Sequence, residues 1–180
     1  MTLTTRNRLL GLALAVLVYV LDQWVKGYVT GTLKLTRDGD QVVLLPFFNL
    51  TLTSNYGVSL GMFTAQSMEM RLVLLGATAL IALVVLVWML RERLSADILP
   101  LGLVLGGALG NIKDRWTYGF VVDYADLHFG EWRPFLIFNL ADAAITLGVL
   151  FILARSFLSR EKRDDNHAAP VNSSGPATES

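Results

Sequence analysis

PFLIFNLADAAITLGVLFILA, residues 134–154, is an apolar run long enough to cross a bilayer, and it carries one carboxylate, Asp142. About 20 such residues in a helix span the ~30 Å of hydrocarbon in a membrane. A charge near the middle of that hydrocarbon costs at least ~2.5 kcal/mol even on lenient scales, so an intramembrane Asp calls for a partner or a task. The stretch therefore predicts a fourth membrane span over about 134–158, with Asn139 and Asp142 on one face by their i, i+3 spacing.

Working outward, three further apolar segments lie over about 9–29, 72–90 and 98–116, the last extended through the polar GNIKDRW. With 53% hydrophobic and 17% charged residues in 180, the composition fits an integral membrane protein. The expected fold is all-α, four transmembrane helices with a small β-containing loop between the first two, where QVVLLPFFNLTLTSN alternates before NYG. Residues 1–160 form a single membrane domain, with extracytoplasmic loops over 31–69 and 117–133. Residues 161–180, polar and rich in Pro and Ser, read as a disordered cytoplasmic tail. Arg6 and Arg8 precede the first apolar stretch, but DQWVK follows it instead of a small-x-small cleavage site, so it is read as a retained span.

Arg6, Arg8, Arg91, Arg93, Arg155, Arg160, Lys162 and Arg163 fall on one side of a four-span topology, which makes that side cytoplasmic. Lys34, Arg37, Arg71 and Arg133 oppose the bias without reversing it.

In this topology three spans aim unexpected polar groups at the outer surface. Asp22 and Lys26 come late in the first, Asn111, Asp114 and Arg115 end the third, and Asn139 and Asp142 come early in the fourth; Asp123 stands in the loop beyond the third. Such residues face a cavity or one another. A purely structural cluster would pair Asp22 with Lys26, and Asp114 with Arg115 or Lys113. Gly102, Gly106 and Gly110, with Gly107 beside them, form a small-xxx-small stripe that permits close helix contact and brings Asn111 toward the fourth span.

The possible chemistry is narrow. The absence of cysteine excludes thiolate catalysis, Cys-based zinc sites and disulfides, and balanced charge gives no reason to expect nucleic acid. His128 and His167 are the only histidines, too few for a convincing metal site, and neither has an obvious serine partner for a triad. A Ser-Lys pair would need Ser54 or Ser59 near Lys26, and neither falls in a recognisable motif. Two carboxylates sharing a proton are the best-supplied option, one activating water while the other protonates a carbonyl oxygen. Spacing alone does not choose the pair.

The blocks DQWVK, SNYGVS, GGALGNIKDR, VVDY and FNLADAAI, in that order, resemble lipoprotein signal peptidase (signal peptidase II), a bacterial membrane aspartic protease family. The resemblance covers about residues 22–145. It implies that Asp123 of VVD and Asp142 of NLAD are the catalytic pair. It also implies that Asn111 and Asn139 hydrogen-bond near them, that Arg115 binds substrate or orders the site, and that Asn55 contacts substrate. Asp114 would hold Arg115 or neighbouring backbone, Asp22 and Lys26 would serve stability, and Asp126 would be surface or structural. NYGVSLGMF departs from the family pattern, which more often has alanine where Ser59 stands and an aromatic where Leu60 follows.

The implied substrate is a diacylglyceryl-prolipoprotein cut just before its lipidated cysteine, with no cofactor and no metal. The implied partners are membrane lipid and globomycin-like peptide inhibitors. The location is the bacterial cytoplasmic (inner) membrane, multi-pass, both termini cytoplasmic and the active site near the outer face. Phe47 and Phe48 would lie on the outer leaflet as anchors or as a cradle for peptide and lipid, and Trp132 would be an anchor or a lid. The competing classes are a small proton- or ion-coupled transporter subunit using Asp142, Asp22 and Lys26, which should show an internal repeat, and a non-catalytic scaffold assembled through the glycine stripe.

Overall fold

Thr2 starts the first helix by accepting a hydrogen bond from the Thr5 amide on its Oγ1 at 3.2 Å, a side-chain N-cap. The computed structural model describes residues 2–57 and 68–167, with side chains as far as residue 158. Ser59 and Leu60 lie outside the described residues. Helix α1 (Leu3–Gly27) runs on into a π-helical turn at Tyr28–Thr32, and is followed by α2 (Met68–Arg91), α3 (Ser95–Thr117) and α4 (Leu140–His167). All four contain windows apolar enough to cross a membrane. Leu80, Leu83, Val84, Leu150 and Phe151 point outward, the surface that hydrocarbon covers.

Helix α3 is the axle: 61% of its apolar window is buried, against 28%, 11% and 17% for the others in chain order. Its glycines explain the closeness. A Cβ on Gly102 would stand 2.6 Å from the Gly11 carbonyl oxygen, on Gly106 2.5 Å from that of Ala15, and on Gly110 2.5 Å from an Asp22 carboxylate oxygen. The stripe thus packs chiefly on α1, and at Gly110, where a Cβ would also stand 3.5 Å from Ala141, it reaches α4. Gly107, beside the stripe, meets Ala141 and Ile145, and Gly148 of α4 meets Pro100, so a different pair of glycines seats α4.

A three-stranded antiparallel sheet caps the end of the bundle where α1 and α3 finish. Its order is β1 (Gln41–Leu45), β2 (Phe48–Asn55), β3 (Val121–Leu127). This corrects the all-α expectation with strands only in the first loop: the second loop supplies β3. An isolated two-stranded hairpin is marginal in water, and β3 covers the free edge of β2. Between Leu50 and Thr53 the register shifts, so that Thr53 pairs with Asp123 but Asn49 with Asp126. Cross-strand partners share a face. The bulge therefore puts Asp123 and Asp126, three residues apart, on the same polar face as Asn49, Thr51, Thr53 and Asn55. The other face packs Leu52, Val122, Tyr124 and Ala125 against Val29 and Leu35.

Helix α4 begins at Leu140 rather than Pro134. Phe138 instead pairs with β3, its amide donating to the Ala125 carbonyl at 3.2 Å and its own carbonyl accepting from Ala125 at 2.7 Å. Asn139 and Asp142 then form a reciprocal capping box: the Asp142 amide donates to Asn139 Oδ1 at 2.9 Å, and the Asn139 amide to Asp142 Oδ2 at 3.3 Å. The two remaining amides of the first turn also find partners, Leu140 at Tyr124 Oη (3.2 Å) and Ala141 at Asp22 Oδ1 (3.1 Å). All the donors that a helix start ordinarily leaves unpaired are satisfied. At the other end α4 stays helical to His167, past residue 161 where the tail was expected to begin.

Candidate active site

Asp123 sits on β3, 1% exposed, with one neutral amide on each oxygen: Asn139 Nδ2 at 2.6 Å and Asn55 Nδ2 at 2.8 Å. Asp142, half-buried in the first turn of α4, receives Asn111 Nδ2 at 2.8 Å besides the Asn139 amide. Asn139 Nδ2 also reaches Asn111 Oδ1 at 3.3 Å, so the side chains of Asn111 and Asn139 link the two carboxylates. Arg115, half-buried, interacts electrostatically with Asp142, Asp123 and Asp114.

Beneath them lies a second acidic pair with a different chemistry. Lys26 Nζ is 2.8 Å from Asp22 and 2.8 Å from Asp114, both carboxylates being essentially inaccessible. Gln23 Nε2 donates to Asp22 Oδ2 at 3.0 Å and Asp114 Oδ1 at 3.1 Å, and the Val122 amide donates to Asp114 Oδ2 at 3.2 Å. Asp114 is thus paired with Lys26 rather than with Lys113 or Arg115, and it also holds neighbouring backbone. The same ammonium donates to Asn111 Oδ1 at 3.3 Å, which turns the Asn111 amide nitrogen toward Asp142.

The two acidic pairs differ in what holds them. Asp22 and Asp114 share one buried cation, Lys26, as ion-pair partner, the kind of pairing a buried carboxylate needs. Asp123 and Asp142 have no ion-pair partner within 4 Å among the described residues and are oriented by amide N–H groups instead. Burial pushes the Asp123 carboxyl up to about 6; the Asn55 and Asn139 hydrogen bonds and Lys26 oppose the rise, and the Asp142 charge adds to it. A carboxyl poised there can gain and lose a proton near neutrality.

Asp126 behaves otherwise. It is buried, not at the surface, and burial alone would raise its pKa. Arg133 at 3.0 Å and Thr51 at 3.1 Å hold it below the ordinary carboxylate value.

Asp123 opens on a cleft of about 650 Å³ whose walls include Thr53, Asn55, Gly57, Arg133 and Phe135. A cavity of about 340 Å³ lined by Lys26, Asp114 and Ser54 contains neither Asp123 nor Asp142. Of the two serines the Ser-Lys option could use, Ser54 donates its Oγ to Asp38 at 2.8 Å, and Ser59 lies outside the described residues. Trp132 is exposed and packs on Phe129, itself stacked on Phe47.

Sequence reasoning did not single out Gln23 or Tyr124. Gln23 directly follows Asp22, and Tyr124 directly follows Asp123. Adjacency to an intramembrane or loop carboxylate was the available signal.

The raised Asp123 carboxyl has a measurable consequence. The unfolded chain titrates this group near 3.8 and the folded protein near 6, so the folded state holds more protons between those values. Stability should therefore fall as pH rises from about 4 to 6, by up to ~3 kcal/mol for this group. Thermal unfolding in detergent across that range should show the slope, and Asp123→Asn should flatten it.

Comparison with known proteins follows the same lines. The sequence model of the family described as Signal peptidase (SPase) II matches residues 14–158. Proteins named lipoprotein signal peptidase from Sphingopyxis alaskensis and Rhizorhabdus wittichii are 48% and 46% identical, over 89% and 87% of this chain and 92% and 91% of theirs. A bacterial membrane enzyme solved by the in meso method at 2.3 Å superimposes with a TM-score of 0.69 at 25% identity, covering 93% of this chain and 94% of that one.

Proposed function

Because the chain belongs to the signal peptidase II family, we propose that it cleaves diacylglyceryl-modified prolipoproteins just before the lipidated cysteine, with Asp123 and Asp142 as its catalytic pair. It is a multi-pass protein of the bacterial inner membrane and a membrane aspartic peptidase. The observation that supports the assignment is the pair of carboxylates linked through the Asn111 and Asn139 side chains, one of which, Asp123, lines an open cleft. One carboxylate takes a proton from water as the water oxygen attacks the scissile carbonyl carbon. The other gives its proton to the carbonyl oxygen, and collapse of the tetrahedral intermediate passes a proton to the departing amine. Arg115 and Asn55 orient the substrate and the dyad.

The site faces the outer leaflet and both termini are cytoplasmic. Arg6, Arg8, Arg91, Arg93 and Arg155 at the opposite end of the bundle support this orientation. Two of the basic residues that oppose the bias have structural employment: Arg71 donates to the α3 end carbonyls of Arg115 (3.1 Å) and Trp116 (2.6 Å), and Arg133 pairs with Asp126. Peptide-like inhibitors of the globomycin type would occupy the same cleft. Of the charges the transporter alternative would use, Asp142, Asp22 and Lys26, the last two are locked with Asp114 in one ion-paired cluster.

The test is incubation of the purified protein with a diacylglyceryl lipobox peptide and with its unlipidated counterpart. Mass spectrometry should find a new amino terminus at the lipidated cysteine and little cutting of the counterpart. Absence of cleavage, or cleavage elsewhere, overturns the reading.

A further inference from the structure

We propose that the furrow between α1 and α3 binds one anionic phospholipid, with an acyl chain against its bilayer-facing part and the phosphate on Lys113. Two hollows lie along that furrow. The one deeper in the span, about 380 Å³, is lined by Tyr19 of α1 and by Leu109, Ile112, Lys113 and Trp116 of α3. The other, about 340 Å³, is the cavity that contains neither Asp123 nor Asp142, and its walls include Thr36, Lys113 and Tyr118. Lys113 belongs to both.

Helix periodicity puts the two hollows on one track. Tyr19 in the first and Gln23, Gly27 and Thr30 in the second recur at helical spacing along one stripe of α1, while Leu109, Ile112, Lys113 and Trp116 follow the i, i+3, i+4, i+7 pattern on α3. From Tyr19 to Thr30 the stripe covers ~16 Å at the rise of a helix. Polarity changes along it in the order an amphiphile needs. Aliphatic and aromatic side chains line the part inside the span, a cation follows, and the exposed Thr36 and Tyr118 stand at the polar end.

Charge identifies the occupant. Of the basic side chains on the last turns of α1 and α3, Lys26 is ion-paired with two carboxylates and Arg115 interacts electrostatically with three aspartates. Lys113 has no carboxylate within 4 Å among the described residues. Tyr118 holds it instead, with the ring centroid at 4.9 Å and the hydroxyl at 3.5 Å. An ammonium at the boundary between an apolar groove and a polar cavity suits a phosphate, and the groove below it suits the chain of a lipid rather than a free anion. Trp116, 71% exposed and one turn beyond Lys113, stands where an indole borders lipid headgroups. Leu52 and Val122 of the cavity wall lie on the sheet face opposite Asp123, so this lipid is distinct from anything held in the cleft. It bridges α1 and α3 beside the Lys26 cluster and stabilises the bundle by mass action.

The experiment is native mass spectrometry of the detergent-purified protein titrated with dioleoyl phosphatidylglycerol, dioleoyl phosphatidylcholine or glycerol phosphate, with thermal unfolding alongside. The parent should retain one phosphatidylglycerol about fivefold more strongly than phosphatidylcholine, and Lys113→Gln should erase that preference, the effect of one basic residue on an anionic membrane lipid. Leu109→Trp fills the groove, keeps the charge and should weaken both lipids. Arg91→Gln, which removes a cation at the opposite end of α2, should keep the preference. Phosphatidylglycerol should raise the Tm of the parent, and glycerol phosphate should not. Equal retention of the two lipids by the parent, a preference that survives Lys113→Gln or is lost equally in Arg91→Gln, or stabilisation by glycerol phosphate alone overturns the proposal. If Lys113→Gln does not fold, Leu109→Trp decides: phosphatidylglycerol held as tightly as by the parent overturns it, and a weakened hold supports it.

Discussion

Asp123→Asn and Asp142→Asn are each expected to reduce turnover of a diacylglyceryl lipobox substrate by about a thousandfold or more, at the upper end of what a positioned general acid or base contributes. Asparagine keeps the volume but can neither take a proton from water nor return one. The two variants differ in side effects. At position 123 both carboxylate oxygens accept amide hydrogens, so an introduced NH2 faces the Asn55 or Asn139 donor and costs some stability. At position 142, Asn111 donates to one oxygen and the Asn139 backbone to the other, and the capping box is weakened in the same way. Thermal unfolding must accompany the assay. Asp97→Asn, which removes a partly exposed pair with Arg155 at the far end of α3, serves as the control that keeps activity. Full activity in either dyad variant would refute the assignment.

Lys26→Met should produce the largest loss of stability of any single change near the site, about 3–5 kcal/mol, because removing one partner of a buried ion pair leaves uncompensated charge. Here a single ammonium serves two carboxylates, Asp22 and Asp114, that water does not reach. The damage should spread along named bonds. Asp22 also accepts from the Ala141 amide at the start of α4, and Asn111 loses a donor on the oxygen whose amide partner holds Asp142. Adding Asp114→Asn to Lys26→Met removes one of the stranded charges and should recover part of the loss, a non-additivity expected of residues in one network. A loss below about 1 kcal/mol on thermal unfolding would show the cluster to be dispensable.

The spans were legible because apolar runs of sufficient length have few other uses. Their ends were less so. Pro134 to Phe138 is as apolar as the helix it precedes, and hydropathy cannot tell a strand-paired segment from a helical one; the Asn139-x-x-Asp142 capping pattern was the signal that could have moved the boundary. The third strand escaped because VVDYADL gains its partner only when β2 arrives from a distant part of the chain. Residue chemistry assembled the polar cluster at one end of the bundle but left the pair open. The resemblance to a family named Asp123 and Asp142. What separates them physically from Asp114 and Asp126, neutral amides against cations as partners, depends on helix register and on a strand bulge that no local pattern records.

The start of α4 has one more implication. Its first-turn amides are received by Asp22 from α1, Tyr124 from β3 and the Asn139 side chain beside Asp142. Helix α4 is therefore seated correctly only once α1 and the sheet are in place. A half-assembled chain holds Asp123 and Asp142 in no defined relation, so on the proposed reading hydrolytic competence arrives together with completed assembly.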